Sequence, residues 1–391
     1  MQLDADGTRH GRMRAGDGAS GPHYNVHPMR IWLRKWWRVL KKVFAIAIIA
    51  AIARIFIRDY VNNPDLWKLP LRYDWLALAG LLYLGGLGFS AIFWHRLLRS
   101  LDQPVDGYTS FRAYYIGHLG KYLPGKAWAL FLRANLASSA GVRVGVAVQT
   151  SFYEVLTTMA AGALLGGVIV ALNLPSSGTA IDWHGFLRMF TETKPEIVSL
   201  DYRLMGLVAI CLILATGIPI FPPIFNRLVR RMHLPFRDKD SLPLPIIGFP
   251  AMAQGLLLTT VGWLFMGVSL LACLQAMLPS SPDWSIGNWG KNSAYLSLAY
   301  VAGFVVIWLP NGIGVRELFL AVFLTSELES VLGQDSSLSP HYARHAAVLL
   351  RITWTLVELV FIGSLYFLHY MCGRRKPTTG VAAEAKVDRR G

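Results

Sequence analysis

The sequence predicts an all-α polytopic membrane protein, an inverted-repeat helical bundle with two hairpins broken by proline and glycine. Three observations predict it. Hydrophobic residues make up 54% of the 391 residues and charged residues only 16%, against about 25% charged in a soluble domain. The apolar residues lie in blocks of about 20, the length that crosses a bilayer. The stretches between the blocks are too short to bury a core of their own.

Six blocks read as spans: 43–57, 74–94, 144–172, 204–226, 250–278 and 346–370. Two more, 109–138 and 293–328, are interrupted at their centres, and each reads as a re-entrant hairpin or as a pair of crossings. The order span, span, hairpin, long span occurs twice, over about 40–172 and 204–371. The first copy starts on the inner side of the membrane and the second on the outer side, so the copies are related by inversion, a recurring plan of secondary transporters. Residues 1–28 are rich in Gly, His, Arg and Asp without an apolar period and read as a disordered tail. The membrane domain then covers 29–371, and 372–391 is a basic cytoplasmic tail.

Lysine and arginine set the orientation. They crowd into Arg30–Lys42, into loop 227–249 (Arg227, Arg230, Arg231, Arg237, Lys239) and into the last tail from Arg374 onward. The alternate connections are poor, with only Lys291 in 279–292 and Arg344 in 329–345. Both termini and loop 227–249 are therefore expected on the cytoplasmic side of the cell (plasma or inner) membrane. The net charge of +15 has the same origin, contact with anionic headgroups, and nucleic acid is not an expected partner. Three distant cysteines show neither a disulfide framework nor metal spacing. His341 and His345 stand one helical turn apart without a carboxylate base and read as an exposed pair, not metal ligands. No cofactor is expected.

The first break reads Gly117-His118-Leu119-Gly120-Lys121-Tyr122-Leu123-Pro124-Gly125-Lys126. Proline stops one helix, and the next begins at Pro124 or Gly125 with backbone N–H groups that attract anions. Lys121 and Lys126 flank that point, with Arg133 two turns beyond Lys126 on the same face. A lysine at bilayer depth costs about 2.5–3.5 kcal/mol, so these cations face water, a headgroup or an acid. The alternative is a segment at the interface whose cations snorkel. The second break, Pro310-Asn311-Gly312-Ile313-Gly314-Val315-Arg316-Glu317, repeats the logic. Glu317 suits a helix N-terminus on dipole grounds, and it lies about 100° from Arg316, so the two cannot face one partner. The long spans after the hairpins carry Glu154 and Glu358, with Arg351 seven residues before Glu358. Such acids are proton-relay or counter-ion candidates, or members of a structural pair such as Glu154 with Arg351.

These breaks resemble the membrane region of the lysylphosphatidylglycerol synthase family, the flippase-like domain. The resemblance lies in Leu123-Pro124-Gly125 with Arg133, in Pro310 to Glu317, in Glu154 and in Arg351, and covers roughly 40–370. Lys126-Ala127-Trp128 departs from the Gly-Gly-Glu character often found after the first proline. The family's soluble aminoacyl-transferase domain is not expected here, since only a basic tail follows residue 371. The resemblance implies a protein that translocates or handles an anionic lipid or polyprenyl-phosphate-linked substrate in cell-envelope lipid or glycan biogenesis. Membrane lipids and cell-envelope biosynthesis enzymes would be its partners. Lys121, Lys126, Arg133 and Arg316 would bind the anion, the glycines would admit it, and Glu154 and Glu358 would balance charge or respond to protons. The rivals are a membrane-embedded transferase and an accessory subunit of a lipid-linked glycan or aminoacyl-lipid pathway.

Overall fold

The computed structural model describes residues 57, 61, 70–122, 128–172, 202–231, 243–278, 281–306, 312, 314–332 and 338–374. They belong to one of two units of the chain, Ala45–Gly391; the other, Met1–Phe44, lies outside them. Also outside are the expected span 43–57 (apart from Ile57), both expected tails beyond Arg374 and before residue 29, and the break residues Pro124, Gly125, Lys126, Pro310 and Asn311.

Ten helices are described: α1 (Tyr73–Ser100), α2 (Gly107–His118), α3 (Trp128–Ser138), α4 (Val144–Leu172), α5 (Tyr202–Ile220), α6 (Pro222–Arg231), α7 (Phe249–Met277), α8 (Ile286–Val305), α9 (Val315–Leu332) and α10 (Ser339–Arg374). There is no strand among the described residues. α1, α4, α7 and α10 are each long and apolar enough to cross a membrane. The chain is an all-α, multi-pass membrane protein.

One expected span is corrected. Instead of a continuous 204–226, α5 ends at Ile220 and α6 leaves it at 68°. Pro222 and Pro223 have no N–H to continue the ladder, and Phe221 closes the turn on Ile218 instead. Arg227, Arg230 and Arg231 therefore sit on a helix, not in a loop. α6 is fastened by Asn226, which donates to the Ile247 carbonyl (2.8 Å) and accepts from the Ile247 N–H (3.1 Å). Two connections are also shorter than expected. α8 starts at Ile286, capped by Ser285, and α10 starts at Ser339 and runs past residue 371 to Arg374.

α1 and α7 form the central seam. The Arg72 N–H donates to the Ala276 carbonyl and Ser269 to the Ala79 carbonyl. Gly86 and Gly262 each face the other's carbonyl oxygen, and Phe93 fills the space beside Gly255. Each step of seven residues up α1 is matched by seven down α7. That is antiparallel packing on a heptad repeat, the geometry of a left-handed coiled coil. α1 and α7 are the second spans of the two repeat copies, so their antiparallel pairing agrees with an inverted relation. At Gly86 a Cβ would lie 2.8 Å from the Gly262 oxygen, and at Gly262 one would lie 2.7 Å from the Gly86 oxygen. This self-complementary contact marks where a pseudo-two-fold axis would pass.

The long helices flank the seam: α4 packs on α7 and α1, and α10 on α1 and α7. Trp263 on α7 reaches the Thr158 carbonyl of α4, while Gly80 on α1 admits Val357 of α10. The first hairpin is α2, a 3-10 turn Leu119–Tyr122, and α3; the second is α8 and α9. α2 and α3 have 12 and 11 residues, about 18 and 16 Å, far short of a ~30 Å hydrocarbon core. They fit a re-entrant hairpin. α8 and α9, with 20 and 18 residues, approach a full crossing length.

Candidate functional site

Both hairpins close through glycine. At Gly117 a Cβ would lie 2.3 Å from Arg133 Cγ, and at Gly120 one would lie 2.4 Å from the Ala129 nitrogen, so α2 and α3 touch only because neither has a side chain. In the second hairpin Gly303 leaves room for Arg316 Cγ (2.5 Å). Gly312 and Gly314 adopt φ of +63° and +84°, the left-handed region that glycine enters without steric cost. The glycines thus serve helix approach and turn geometry.

Each hairpin then stacks an arginine on a tyrosine. The Arg133 guanidinium lies 3.9 Å from the Tyr114 ring centre, and that of Arg316 lies 4.0 Å from the Tyr300 ring centre. Tyr114, Gly117, Leu123 and Pro124 match Tyr300, Gly303, Leu309 and Pro310 at identical spacing. A Tyr-x-x-Gly-x5-Leu-Pro repeat therefore underlies both hairpins. Sequence reasoning had used only its last residues.

The carboxylates complete two ion pairs within the halves. Arg133 donates to Glu154 at 2.6 Å, and both are 2% exposed. Tyr114 (2.9 Å) and Thr158 (3.2 Å) donate to the other oxygen of Glu154. In the second half Arg351 on α10 pairs with Glu317 on α9. The second oxygen of Glu317 accepts from the Gly314 N–H at 2.5 Å, closing the first turn of α9 as a capping box does. The two pairs carry opposite senses: hairpin arginine to long-helix glutamate in the first half, hairpin glutamate to long-helix arginine in the second. The expected Glu154–Arg351 pair does not form, because each residue finds its partner inside its own half. Arg316 and Glu317 point to different partners, as their 100° separation requires.

One cluster crosses between the halves. Glu358, on α10 and 1% exposed, pairs with Lys121 from the 3-10 turn and accepts from Tyr83 on α1. Its other oxygen accepts from Tyr122 at 2.7 Å. Lys121 also contacts the Tyr83 hydroxyl at 3.3 Å. His118 bridges to the first pair. Arg133 approaches its Nδ1 at 3.4 Å; arginine only donates, so Nδ1 accepts and the proton of the neutral ring sits on Nε2. That Nε2 lies 3.7 Å from Glu358. A chain of polar groups thus runs Glu154, Arg133, His118, Glu358, Lys121. Tyr83 stacks on Trp354 at 4.0 Å, and Trp354 lies 5.5 Å from Tyr300, so an aromatic wall joins the two hairpin sites. A small cleft beside that wall is bordered by Tyr300, Arg316, Glu317 and Arg351.

Of the sequence-derived candidates, the structure brings Lys121, Arg133, Glu154, Arg316, Glu317, Arg351 and Glu358 into this region. It places Gly312 and Gly314 at the second turn. Tyr83, His118, Tyr122 and Tyr300 are additions that charge and proline signals did not reveal. His345 is buried instead of exposed, and His341 stands 2.9 Å from Arg344; no group of three potential metal ligands occurs among the described residues. Cys211 and Cys273 are free thiols. A family model described as the lysylphosphatidylglycerol synthase TM region matches residues 42–328. The match takes in the first hairpin and the second up to residue 328 of α9, and stops short of α10, which carries Arg351 and Glu358. No curated protein matches the chain significantly.

Proposed function

Because the chain belongs to the lysylphosphatidylglycerol synthase transmembrane-region family, a membership that ties it to membrane lipids, we propose that it translocates the anionic head of a lipid or polyprenyl-phosphate-linked molecule. It would do so in the plasma or inner membrane, with both termini cytoplasmic, in the service of cell-envelope lipid or glycan biogenesis. The observation that supports this reading is the charge inventory of the interior. Lys121, Arg133, Arg316 and Arg351 meet three carboxylates, Glu154, Glu317 and Glu358, around the middle of the long helices. A lysine or arginine at bilayer depth costs about 2.5–3.5 kcal/mol, and four such cations gathered around one interior region suit the handling of an anionic headgroup. Arg133 is committed to Glu154, so its part is to hold His118 and the hairpin in place. Lys121 and Arg351, with side chains 19% and 24% exposed, and Arg316, which borders the same cleft as Arg351, are the cations placed to meet a substrate.

The test is reconstitution into vesicles with a fluorescent anionic phospholipid and an external quencher. Wild type should accelerate exchange between leaflets, and Arg316→Gln or Lys121→Gln should reduce it by about tenfold or more at equal protein level. Transport by the Arg316→Gln and Lys121→Gln double variant at the wild-type rate would end the reading. Cysteine labelling in intact cells checks the orientation: positions 235 and 380 should be shielded, and 185 and 335 accessible.

A further inference from the structure

The repeat separates what the fold requires from what it does not. Both hairpins keep tyrosine, glycine, leucine and proline at matched positions, yet they differ where the first faces Glu358. His118, Lys121 and Tyr122 of the first hairpin correspond to Phe304, Ile307 and Trp308 of the second. The hairpin contacts common to both are made by the shared tyrosine and glycine with the arginine of the second arm, so the polar set is particular to the first.

What the polar set does is surround one carboxylate. Lys121, Tyr83 and Tyr122 all donate to Glu358, and His118 Nε2 lies 3.7 Å from it. Three donors and a nearby N–H, drawn from α1, α2 and the 3-10 turn, thus converge on one buried oxyanion. A lysine ammonium with converging hydroxyl and N–H donors is also the set that a phosphate oxygen array accepts. Access is arranged outward from the carboxylate. Glu358 is 1% exposed, whereas the Lys121 side chain is 19% exposed and Tyr122 is 36% exposed. Tyr122 also touches Thr355 at 3.2 Å, and next to Thr355 and Glu358 on α10 the side chains of Leu356, Leu359 and Val360 face outward. The rim of a polar site is thus continuous with the bilayer-facing surface of a membrane helix, so a headgroup can enter while its chains stay in lipid.

Building on the lipid-handling reading above, we infer that Lys121, Tyr122, Tyr83 and His118 form an oxyanion site which Glu358 occupies as an internal stand-in, and that the phosphate of the lipid takes the carboxylate's place. Glu358 is then a competitor for the site: the fraction of time it holds the donors lowers the apparent affinity for substrate by that fraction. It also keeps Lys121 paired whenever no substrate is bound.

The test uses the purified full-length protein in detergent with two probes, dioctanoyl phosphatidylglycerol and inorganic phosphate. Glu358→Gln removes the internal anion at constant shape and should bind the lipid probe about tenfold more tightly than wild type. Lys121→Gln should bind it about tenfold more weakly. A second readout requires no variant to fold. Lipid probe added to wild type should speed modification of Glu358 by dicyclohexylcarbodiimide, followed by peptide mass spectrometry, because the displaced carboxylate has lost its cation; a ligand bound elsewhere would leave the rate unchanged or slow it. Lipid binding by wild type, with Glu358→Gln no tighter and labelling not accelerated, overturns this inference alone. Tightening toward inorganic phosphate only, or no lipid binding by either protein, overturns the lipid-handling reading with it.

Discussion

Removing Arg133 should cost far more than removing the ion pair to which it belongs. Arg133 and Glu154 are each 2% exposed, joined at 2.6 Å, and the guanidinium also rests on Tyr114. Arg133→Met keeps the apolar stem against Gly117 but leaves Glu154 with only two hydroxyl donors, Tyr114 and Thr158. A buried charge stripped of its partner costs about 3–5 kcal/mol. Glu154→Gln strands the cation instead, and its cost should be of similar size. The double variant removes both charges, and such replacements are often neutral within a few kcal/mol. It should therefore be more stable than either single variant, with a coupling of about 2 kcal/mol or more. Equilibrium unfolding in mixed detergent micelles measures all four proteins. Single variants within about 1 kcal/mol of wild type, or a double variant that loses the sum of the two, would refute the argument. Either result would mean that water or lipid headgroups reach Glu154.

Two further outcomes follow from local geometry. Gly120→Ala places a methyl 2.4 Å from the Ala129 backbone nitrogen, which no side-chain rotation relieves; the variant should lose about 1–3 kcal/mol and unfold earlier in the same assay, whereas Gly107→Ala, which meets nothing, should not. Asp106 caps α2 by accepting from the Thr109 N–H at 3.0 Å, so Asp106→Ala should cost about 1 kcal/mol. Hydrogen bonds from Thr109, first through its side chain and then its backbone, hold the Asp106 carboxyl below the usual carboxylate range. A depressed folded value means that the charged cap contributes fully above the unfolded value near 3.9 and is lost as pH falls through the folded value. The gap between wild type and Asp106→Ala should therefore close in acid, and an undiminished gap at pH 2 would show that the carboxylate is not the cap.

The long helices were legible because membrane length and apolarity leave a helix little alternative. α4 matches its expected bounds, α1 and α10 contain theirs, and α7 lies one residue earlier at each end. The bend at Phe221 was equally written in Pro222 and Pro223, but uniform apolarity across 204–226 masked it. For the site, charge in an apolar context found the right residues and the wrong pairing. Glu154 and Arg351 invited each other by repeat position, whereas the hairpin arms brought Arg133 and Glu317 nearer to them. Pairing depends on which helix faces which, and the period along a chain does not carry that. The tyrosines were overlooked for a different reason: a lone tyrosine in a membrane helix is unremarkable until its copy at the same distance from a second proline is noticed.

The α1–α7 seam also limits where anything can move. Its contacts run from Arg72 to Phe93 on one side and from Ala276 to Gly255 on the other, about 31 Å of helix, as long as the hydrocarbon layer is thick. No headgroup can slip between these two helices, so any track across the bilayer lies to one side of them. At the centre of the seam stand Gly86 and Gly262, which touch through backbone atoms, with the Phe89 and Phe265 rings packed beside them. Two rods whose backbones meet at one point meet least resistance when they tilt about it. Tilting opens the space at one end of the seam as it closes the space at the other.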